Sequence, residues 1–492
     1  MTSNLYDKID PDSIYQYATN LIGKTFNQIC EEDTLVTKET ENKDSYEAPK
    51  RKGGLGELVE ERYFKYKANN DSEPDFKEAG VELKVTPYRM NKNGTISSKE
   101  RMILTMIDYY EIAKTDFYEN NLWKKCQLIL IVVYLWEKEL ESRLDYMINY
   151  VFLYSPPVED LKIIIDDYNL IKDKVSRGKA HELSEGDTIY LGAATKAATS
   201  ADRRKQPFSD IMAKPRAFSF KNSYMTYILR DYVAGQDKRL EKIVDDLKED
   251  TFEQYVLKKF NRYIGVDRLA LIKELYEPEN EKEINVILRA KSLYSNLAFR
   301  MLGIKSNRAE EFEKANIVVK TVRIRLDGTM KESLSFPAFK IKELVNEIWE
   351  DSKVYNYFES TKFLFVIFRE KSTHTYNFEK AFFWNMPSDD LENKLQEDWL
   401  RFKNKFRAGI CLEPRTLRDN KLIVNNDLPK KTDTNMLHVR PHAAKAAHLI
   451  NGVKYGSGIL ERDADELLNG DMMTKQSFWL NNDYIAHIVN KG

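Results

Sequence analysis

A chain of 492 residues, 42% hydrophobic and 32% charged, is long enough for two or more soluble globular domains. Its longest apolar run, Leu128 to Trp136, is short of the about 20 residues a membrane span needs, and no signal-like apolar stretch follows Met1. A net charge of −1 excludes a surface that is basic all over, and three scattered cysteines (Cys30, Cys126, Cys411) argue against a disulfide framework or zinc site and for a reduced, cytoplasmic setting.

In chain order, Thr37 to Lys52 is charged and strand-poor, a surface loop. The glycine-rich Gly53-Gly54-Leu55-Gly56 opens a stretch with helical spacing, Leu55 to Lys67, whose Leu55, Leu58, Val59 and Tyr63 share one side. Ala79 to Tyr88 alternates as a strand, and Arg101 to Ile112 and Leu128 to Trp136 read as the next strands of one sheet. Lys196 to Asn222 is a local basic patch, with Lys196, Arg203, Arg204, Lys205, Lys214, Arg216 and Lys221 against only Asp202 and Asp210. Tyr232 to Phe299 is helical and rich in Lys, Glu and Leu, a connecting region. Strand-like runs resume at Ile317 to Leu326 and Phe363 to Phe368. The reading is a mixed α/β chain with a helical middle.

The stretch that carries chemistry is Glu73 to Lys84. Along a strand, Val81, Leu83 and Val85 point one way while Glu82 and Lys84 point the other. A carboxylate and an ammonium then share a face, with Asp75 arriving from just upstream. Phosphodiester hydrolysis uses this set, because carboxylate oxygens hold Mg²⁺ and a lysine orients the attacking water and offsets developing charge. Upstream, the helix with Glu57, Glu60 and Glu61 offers a further carboxylate. Downstream, Lys124-Lys125 offers a further cation before the buried strand. Within these sets the candidates taken are Glu60 and Lys124, with Glu57, Glu61 and Lys125 as alternatives.

Together these residues resemble the MutH-type family of mismatch-repair nicking endonucleases and GATC-specific type II restriction endonucleases. The matching elements are Lys52-Gly53, Glu60, Asp75, Gly80-Val81-Glu82-Leu83-Lys84 and Pro87, then Thr195-Lys196-Ala197-Ala198 and Arg216-Ala217-Phe218. The block Gly178-Lys179-Ala180-His181-Glu182-Leu183, the chain length and the C-terminal half are closer to the restriction enzymes. The resemblance implies a restriction-endonuclease-like core, a mixed central sheet flanked by helices. It implies Mg²⁺ as cofactor and cleavage of duplex DNA 5′ of the G in GATC. It makes Asp75 and Glu82 metal ligands, Lys84 the water-orienting lysine, Glu60 and Lys124 further catalytic groups, and Lys52, Gly53 and Lys196 DNA contacts. Lys196 sits where the family places a base-reading lysine, and two positions depart from the family: its arginine two residues earlier is Ala194 here, and its aromatic after the phenylalanine is Ser219.

The C-terminal half repeats the order of elements, so the fold is expected to be duplicated in tandem. Glu311 to Lys320 aligns to Asp75 to Lys84, Lys331-Glu332-Ser333 matches Lys99-Glu100, Leu437 to Ala444 aligns to Leu191 to Ala198, and Gln476 to Trp479 aligns to Arg216 to Ser219. Glu82 becomes Val318, which cannot ligate Mg²⁺, so the second copy is not expected to cut. It carries Arg440 opposite Ala194 and Trp479 opposite Ser219, the residues expected to bind DNA there, since arginine pairs with guanine O6 and N7. His438, His442 and His448 lack the carboxylates or cysteines a metal site needs. The expected domains are 1–235 (catalytic), 236–299 (helical connector) and 300–492 (catalytically degenerate, DNA-binding or regulatory). With one active site per chain, double-strand cleavage calls for a monomer that dimerises on DNA. A MutH-like nickase and a non-enzymatic DNA-binding protein are the competing readings.

Overall fold

A computed structural model describes residues 5–32, 46, 53–67, 73–197, 199, 201–234, 240–330, 334–373, 375–417 and 422–491. Lys52, Ala198 and the Lys331 to Ser333 match lie outside these residues. The chain divides into two units, Met1–Lys242 with Arg308–Asn316, and Ile243–Asn307 with Ile317–Gly492.

In the first unit, helices α1 (Pro11–Thr19), α2 (Phe26–Glu32) and α3 (Gly54–Leu58) precede β1 (Glu82–Met90), β2 (Ile96–Ser98) and β3 (Met102–Met106). After α4 (Asn121–Cys126) come β4 (Ile129–Leu135), β5 (Ile148–Tyr154), α5 (Val158–Ser176), β6 (Leu191–Thr195), β7 (Arg204–Gln206), β8 (Ser209–Ala213), β9 (Arg216–Phe220) and α6 (Asn222–Ala234). Four strands form a mixed sheet in the order β2-β1-β4-β5, with β1 parallel to β4 and the other pairs antiparallel. Ile129 to Val133 of β4 are fully buried, as a central strand covered on both faces requires. A second sheet runs β3-β9-β6. The helix α5 presents Ile164, Tyr168, Ile171 and Val175 at helical spacing, all buried. Asp167 lies among them, its carboxylate accepting the N–H groups of Ile189, Tyr190 and Leu191 (2.7, 2.7 and 2.9 Å) and fixing the entry to β6.

The second unit opens with α7 (Phe252–Asn261), α8 (Arg268–Tyr276), α9 (Glu281–Arg289) and α10 (Leu293–Met301). Past a further helix, α11 (Glu310–Ala315), it continues with β10 (Ile317–Ile324), β11 (Leu334–Ala338), β12 (Lys362–Ser372), β13 (Thr375–Trp384) and α12 (Gln396–Ala408). Then follow the hairpin β14 (Leu412–Thr416) and β15 (Leu422–Asn426), β16 (Leu437–Pro441), β17 (His448–Ile450), β18 (Val453–Tyr455), β19 (Ala464–Glu466), β20 (Met472–Thr474), β21 (Gln476–Leu480) and α13 (Asn482–Lys491). The sheet β10-β12-β13 repeats β1-β4-β5, and β11-β21-β16 repeats β3-β9-β6. Register repeats as well: Leu191 faces Phe220 and Thr195 faces Arg216, just as Leu437 faces Leu480 and Pro441 faces Gln476. Asp398 on α12 repeats the clamp of Asp167, accepting from Asn435, Met436 and Leu437 (3.0, 2.7 and 2.9 Å).

Several expected elements are placed differently. The Leu55 to Lys67 helix is α3 followed by a single wider turn, Val59–Tyr63, with i→i+5 bonding; it ends before Lys65, whose φ is +60°. Arg101 to Ile112 is a strand and then a helical turn, Tyr109–Ile112, because Asp108 caps the N–H groups of Tyr110 and Glu111. The helices of the expected 236–299 connector pack into the second unit, where Phe260 meets Phe378 and Tyr294 meets Phe368 with ring centroids 5.8 and 4.8 Å apart. Residues 308–316 instead belong to the first unit, for an electrostatic reason. Lys314 on α11 donates to both oxygens of buried Asp160 (2.9 and 3.1 Å), pairs with Glu310 (3.0 Å) and lies 4.3 Å from the Tyr227 ring.

Candidate active site

Strand β1 positions the candidate residues. Its apolar side, with Val81 and Leu83, enters a core with Leu130, Val132 and Phe76, so alternation leaves Glu82 and Lys84 together on the other side. Lys84 Nζ donates to Glu82 Oε1 (2.6 Å), and Lys125 Nζ donates to Oε2 (3.0 Å) and Oε1 (3.3 Å). Glu82 is 1% exposed, so burying its charge depends on these two lysines. Asp75 is held beside it by a turn in which Gly80 has φ +65° and Phe76 and Val81 exchange backbone hydrogen bonds. Its Oδ2 accepts the Leu83 N–H (2.8 Å).

Burial, then the Glu82 charge, push the Asp75 carboxyl up to about 6, with Lys84 opposing. Burial, then Asp75, push Glu60 up to about 7. Glu60 sits in the wide turn after α3 and is coupled to Asp75, Lys84 and Glu82. Glu61 is engaged instead by the Tyr46 hydroxyl (2.6 Å). Gly54 at the start of α3 has no room for a side chain, since a Cβ would lie 2.5 Å from the Tyr46 carbonyl oxygen. Gly53 is the residue before that helix.

The second lysine differs from expectation. Lys124 turns to Glu73 (2.8 Å), whereas its neighbour Lys125 reaches Glu82. Successive residues on α4 point about 100° apart, so only one can face β1. Sequence reading also missed Tyr66, whose buried hydroxyl has no hydrogen-bond partner among the described residues. Burial, then Asp75 and Glu60, raise its pKa well above the usual tyrosine range. No periodicity in the sequence marks it.

The donor set suits Mg²⁺. Asp75 and Glu82 are hard oxygen donors whose mutual repulsion a divalent cation would relieve, and this ion takes one or two carboxylates plus water and phosphate oxygens. No group of three or more His, Cys, Asp or Glu side chains in metal-binding proximity occurs among the described residues, which is compatible with that sparse protein contribution. Lys196 follows β6, bonded through its N–H to the Pro215 carbonyl (2.9 Å); partial burial, then the Lys84 charge, lower its pKa. Ser219, at the position of the family's aromatic, is fully buried.

Among the described residues the second unit has no such cluster on its matching strand. Val318 occupies the place of Glu82, and Lys320, in that of Lys84, has its pKa lowered by burial. Exposed Arg440 lies on β16 with its guanidinium 5.3 Å from the ring centre of Trp479 on β21, a diagonal cross-strand pair. The histidines are held singly, His438 by Asn481 (2.6 Å), His442 by Ser477 (3.1 Å) and His448 by Thr474 (3.0 Å).

A family model described as DNA mismatch repair enzyme MutH matches residues 64–167 and again 302–398, the leading halves of the two repeats. The chain is 38% identical over 458 residues to the type II restriction enzyme Sau3AI of Staphylococcus aureus, covering 89% of this chain and 92% of that protein. It is 24% identical over 223 residues to the DNA mismatch repair protein MutH of Shewanella woodyi, covering 44% of this chain and 90% of the relative. No described helix is long and apolar enough to cross a membrane. The chain belongs to the MutH-type endonuclease family, and with its duplicated core to the side of that family occupied by type II restriction enzymes.

Proposed function

We propose that this chain is a type II restriction endonuclease that hydrolyses duplex DNA 5′ of the G in GATC, using Mg²⁺ at Asp75 and Glu82 of the first unit. The observation that carries the reading is one buried carboxylate, Glu82, shared by Lys84 and Lys125 beside Asp75. Fixed cations beside a metal-binding carboxylate suit the negative charge that grows on a phosphate during hydrolysis. When bound, Mg²⁺ supplies polarisation of the scissile phosphate and neutralisation of its charge. Lys84 orients the water whose oxygen forms the new bond to phosphorus as the bond to the leaving 3′-oxygen breaks. Lys125 holds Glu82 in place and adds a second positive charge. Glu60 is a further carboxylate of the site, and Gly53, Lys52 and Lys196 contact the DNA.

The second unit binds GATC through Arg440 and Trp479 and does not cut. One active site per chain then means that two monomers pair on DNA to cut both strands. The test is plasmid cleavage with Mg²⁺ and with EDTA. Linear fragments ending in 5′-GATC, only with Mg²⁺, are expected. Nicked circles alone would favour a MutH-like nickase, and retarded but uncut DNA a binding protein. Arg440→Ala should weaken binding to GATC duplexes by about 1–3 kcal/mol; unchanged affinity and cleavage would remove the role given to the second unit.

A further inference from the structure

Between β6 and β9 the first unit inserts a two-stranded antiparallel ribbon, β7 and β8, closed by Pro207 and Phe208. Its surface is unusual for a free hairpin. Phe208 is 75% exposed, Ile211 57% and Met212 47%, and Arg203, Arg204 and Lys205 are exposed beside them. Phe208 also has φ +63° at the second central position of the turn, after a proline, where glycine is the comfortable residue.

The turn is held rigidly in that strained form. A Cβ on Gly178 would lie 2.4 Å from the Phe208 carbonyl oxygen, so the turn is seated against a residue that has to be glycine. Gln206 accepts the Ala180 N–H (2.7 Å), donates to the Ile211 carbonyl (2.5 Å) and lies 3.0 Å from His181 Nδ1. The Tyr110 hydroxyl donates to the Gln206 carbonyl (3.3 Å). The Gly178 to Leu183 block, a feature the sequence shares with restriction enzymes, thus contains the cradle of this ribbon.

We propose that the ribbon is a DNA-groove element of the first unit, with Phe208 at its tip and Ile211 and Met212 on its two faces packing between the walls of a duplex groove whose phosphates face Arg203, Arg204 and Lys205. A two-stranded ribbon fits the major groove, and apolar side chains flanked by cations match a groove wall between phosphate rows. Lys196, whose N–H bonds the Pro215 carbonyl (2.9 Å) at the base of the ribbon, feels the Lys84 charge, which brings that base toward the candidate site. Charge favours DNA over a second copy of the chain, because the exposed ribbon carries three cations against Asp210.

This rests on the nuclease reading, and the experiment separates the two. Full-length Glu82→Ala protein, as the uncut parent, is titrated with a short fluorescent duplex carrying one GATC site, alone and combined with Phe208→Gly. Glycine relieves the backbone strain, so the free protein should melt at the same or a higher temperature while affinity for the duplex falls about tenfold. Arg204→Ala and Lys205→Ala should each flatten the salt dependence of binding by about one phosphate contact. Unchanged affinity in Phe208→Gly and in Ile211→Ser with Met212→Ser would overturn the proposal. A change in sedimentation of the DNA-free protein with affinity intact would also overturn it, in favour of a contact between copies. A parent that binds no duplex would overturn the nuclease reading itself, and the ribbon's role with it.

Discussion

The two units share a scaffold and differ in what the scaffold holds. Both carry a leading parallel strand pair, a three-stranded second sheet in the same register and a buried aspartate that clamps the entry to it, Asp167 in one and Asp398 in the other. Glu82 and Lys84 on the leading strand, with Lys125 on α4, are matched in the second unit by Val318 and Lys320 and by Glu359, which stands four residues before Phe363 as Lys125 stands four before Ile129. The residues that build backbone hydrogen bonds persist while the charges at the strand edge diverge. Scaffold residues satisfy buried groups whatever the activity, whereas a buried carboxylate ringed by lysines adds little net stability, so the fold does not require it.

The largest effect expected is on that difference. Glu82→Ala should lower cleavage by about 10³-fold or more while leaving duplex binding in place; comparable cutting by the variant would mean the active strand has been misassigned. Val318→Glu should not give the second unit activity, because Glu359 stands where Lys125 does in the first.

Next comes the electrostatic bond that assigns residues 308–316 to the first unit. Lys314→Ala leaves buried Asp160 with the Tyr224 hydroxyl (2.9 Å) but without its cation, with an expected loss of about 3 kcal/mol in that unit. Denaturant unfolding would show it, and a chain ending at residue 242 should be destabilised for the same reason. Full stability of either would mean that α11 is an ornament on the first unit.

Lys125→Ala should reduce cleavage by about 10²-fold, and Lys124→Ala, which loses only an exposed pair with Glu73, should change it little. The reverse order of effects would show that α4 turns on binding DNA.

The smallest effect is a difference in pH response. Glu60 and Asp75, with folded pKa values raised to about 7 and about 6, favour the folded first unit when protonated. Their contribution is present below about pH 4 and is lost as pH rises through 6 to 7. His438 and His448, lowered by burial, act oppositely, since the unfolded second unit takes up protons first below about pH 6.5. Scanning calorimetry from pH 7.5 down to 6 should therefore show the first unit gaining stability relative to the second. Glu60→Gln should flatten the first unit's response; an unchanged slope would show that Glu60 is not the titrating group.

Much of this was legible in the linear chain because strand period and tandem similarity are local properties. Alternation alone put Glu82 and Lys84 on one face, and within the aligned segments Leu191 to Thr195 and Leu437 to Pro441 lie in matching ladder positions. Asp75 was legible as an upstream carboxylate, and Val318 as a lost one. By itself, then, the sequence determined the family, the duplicated α/β core and the strand that carries the carboxylate and lysine. Tertiary structure decided which of two adjacent lysines reaches Glu82, that Glu60 and Tyr66 lie within the field of Asp75, that residues 308–316 pack with the first unit and that Gly178 seats a strained hairpin. Those outcomes depend on helix phase, on charges brought together from distant segments and on backbone contacts closer than a methyl group, and none of these has a period that a sequence displays.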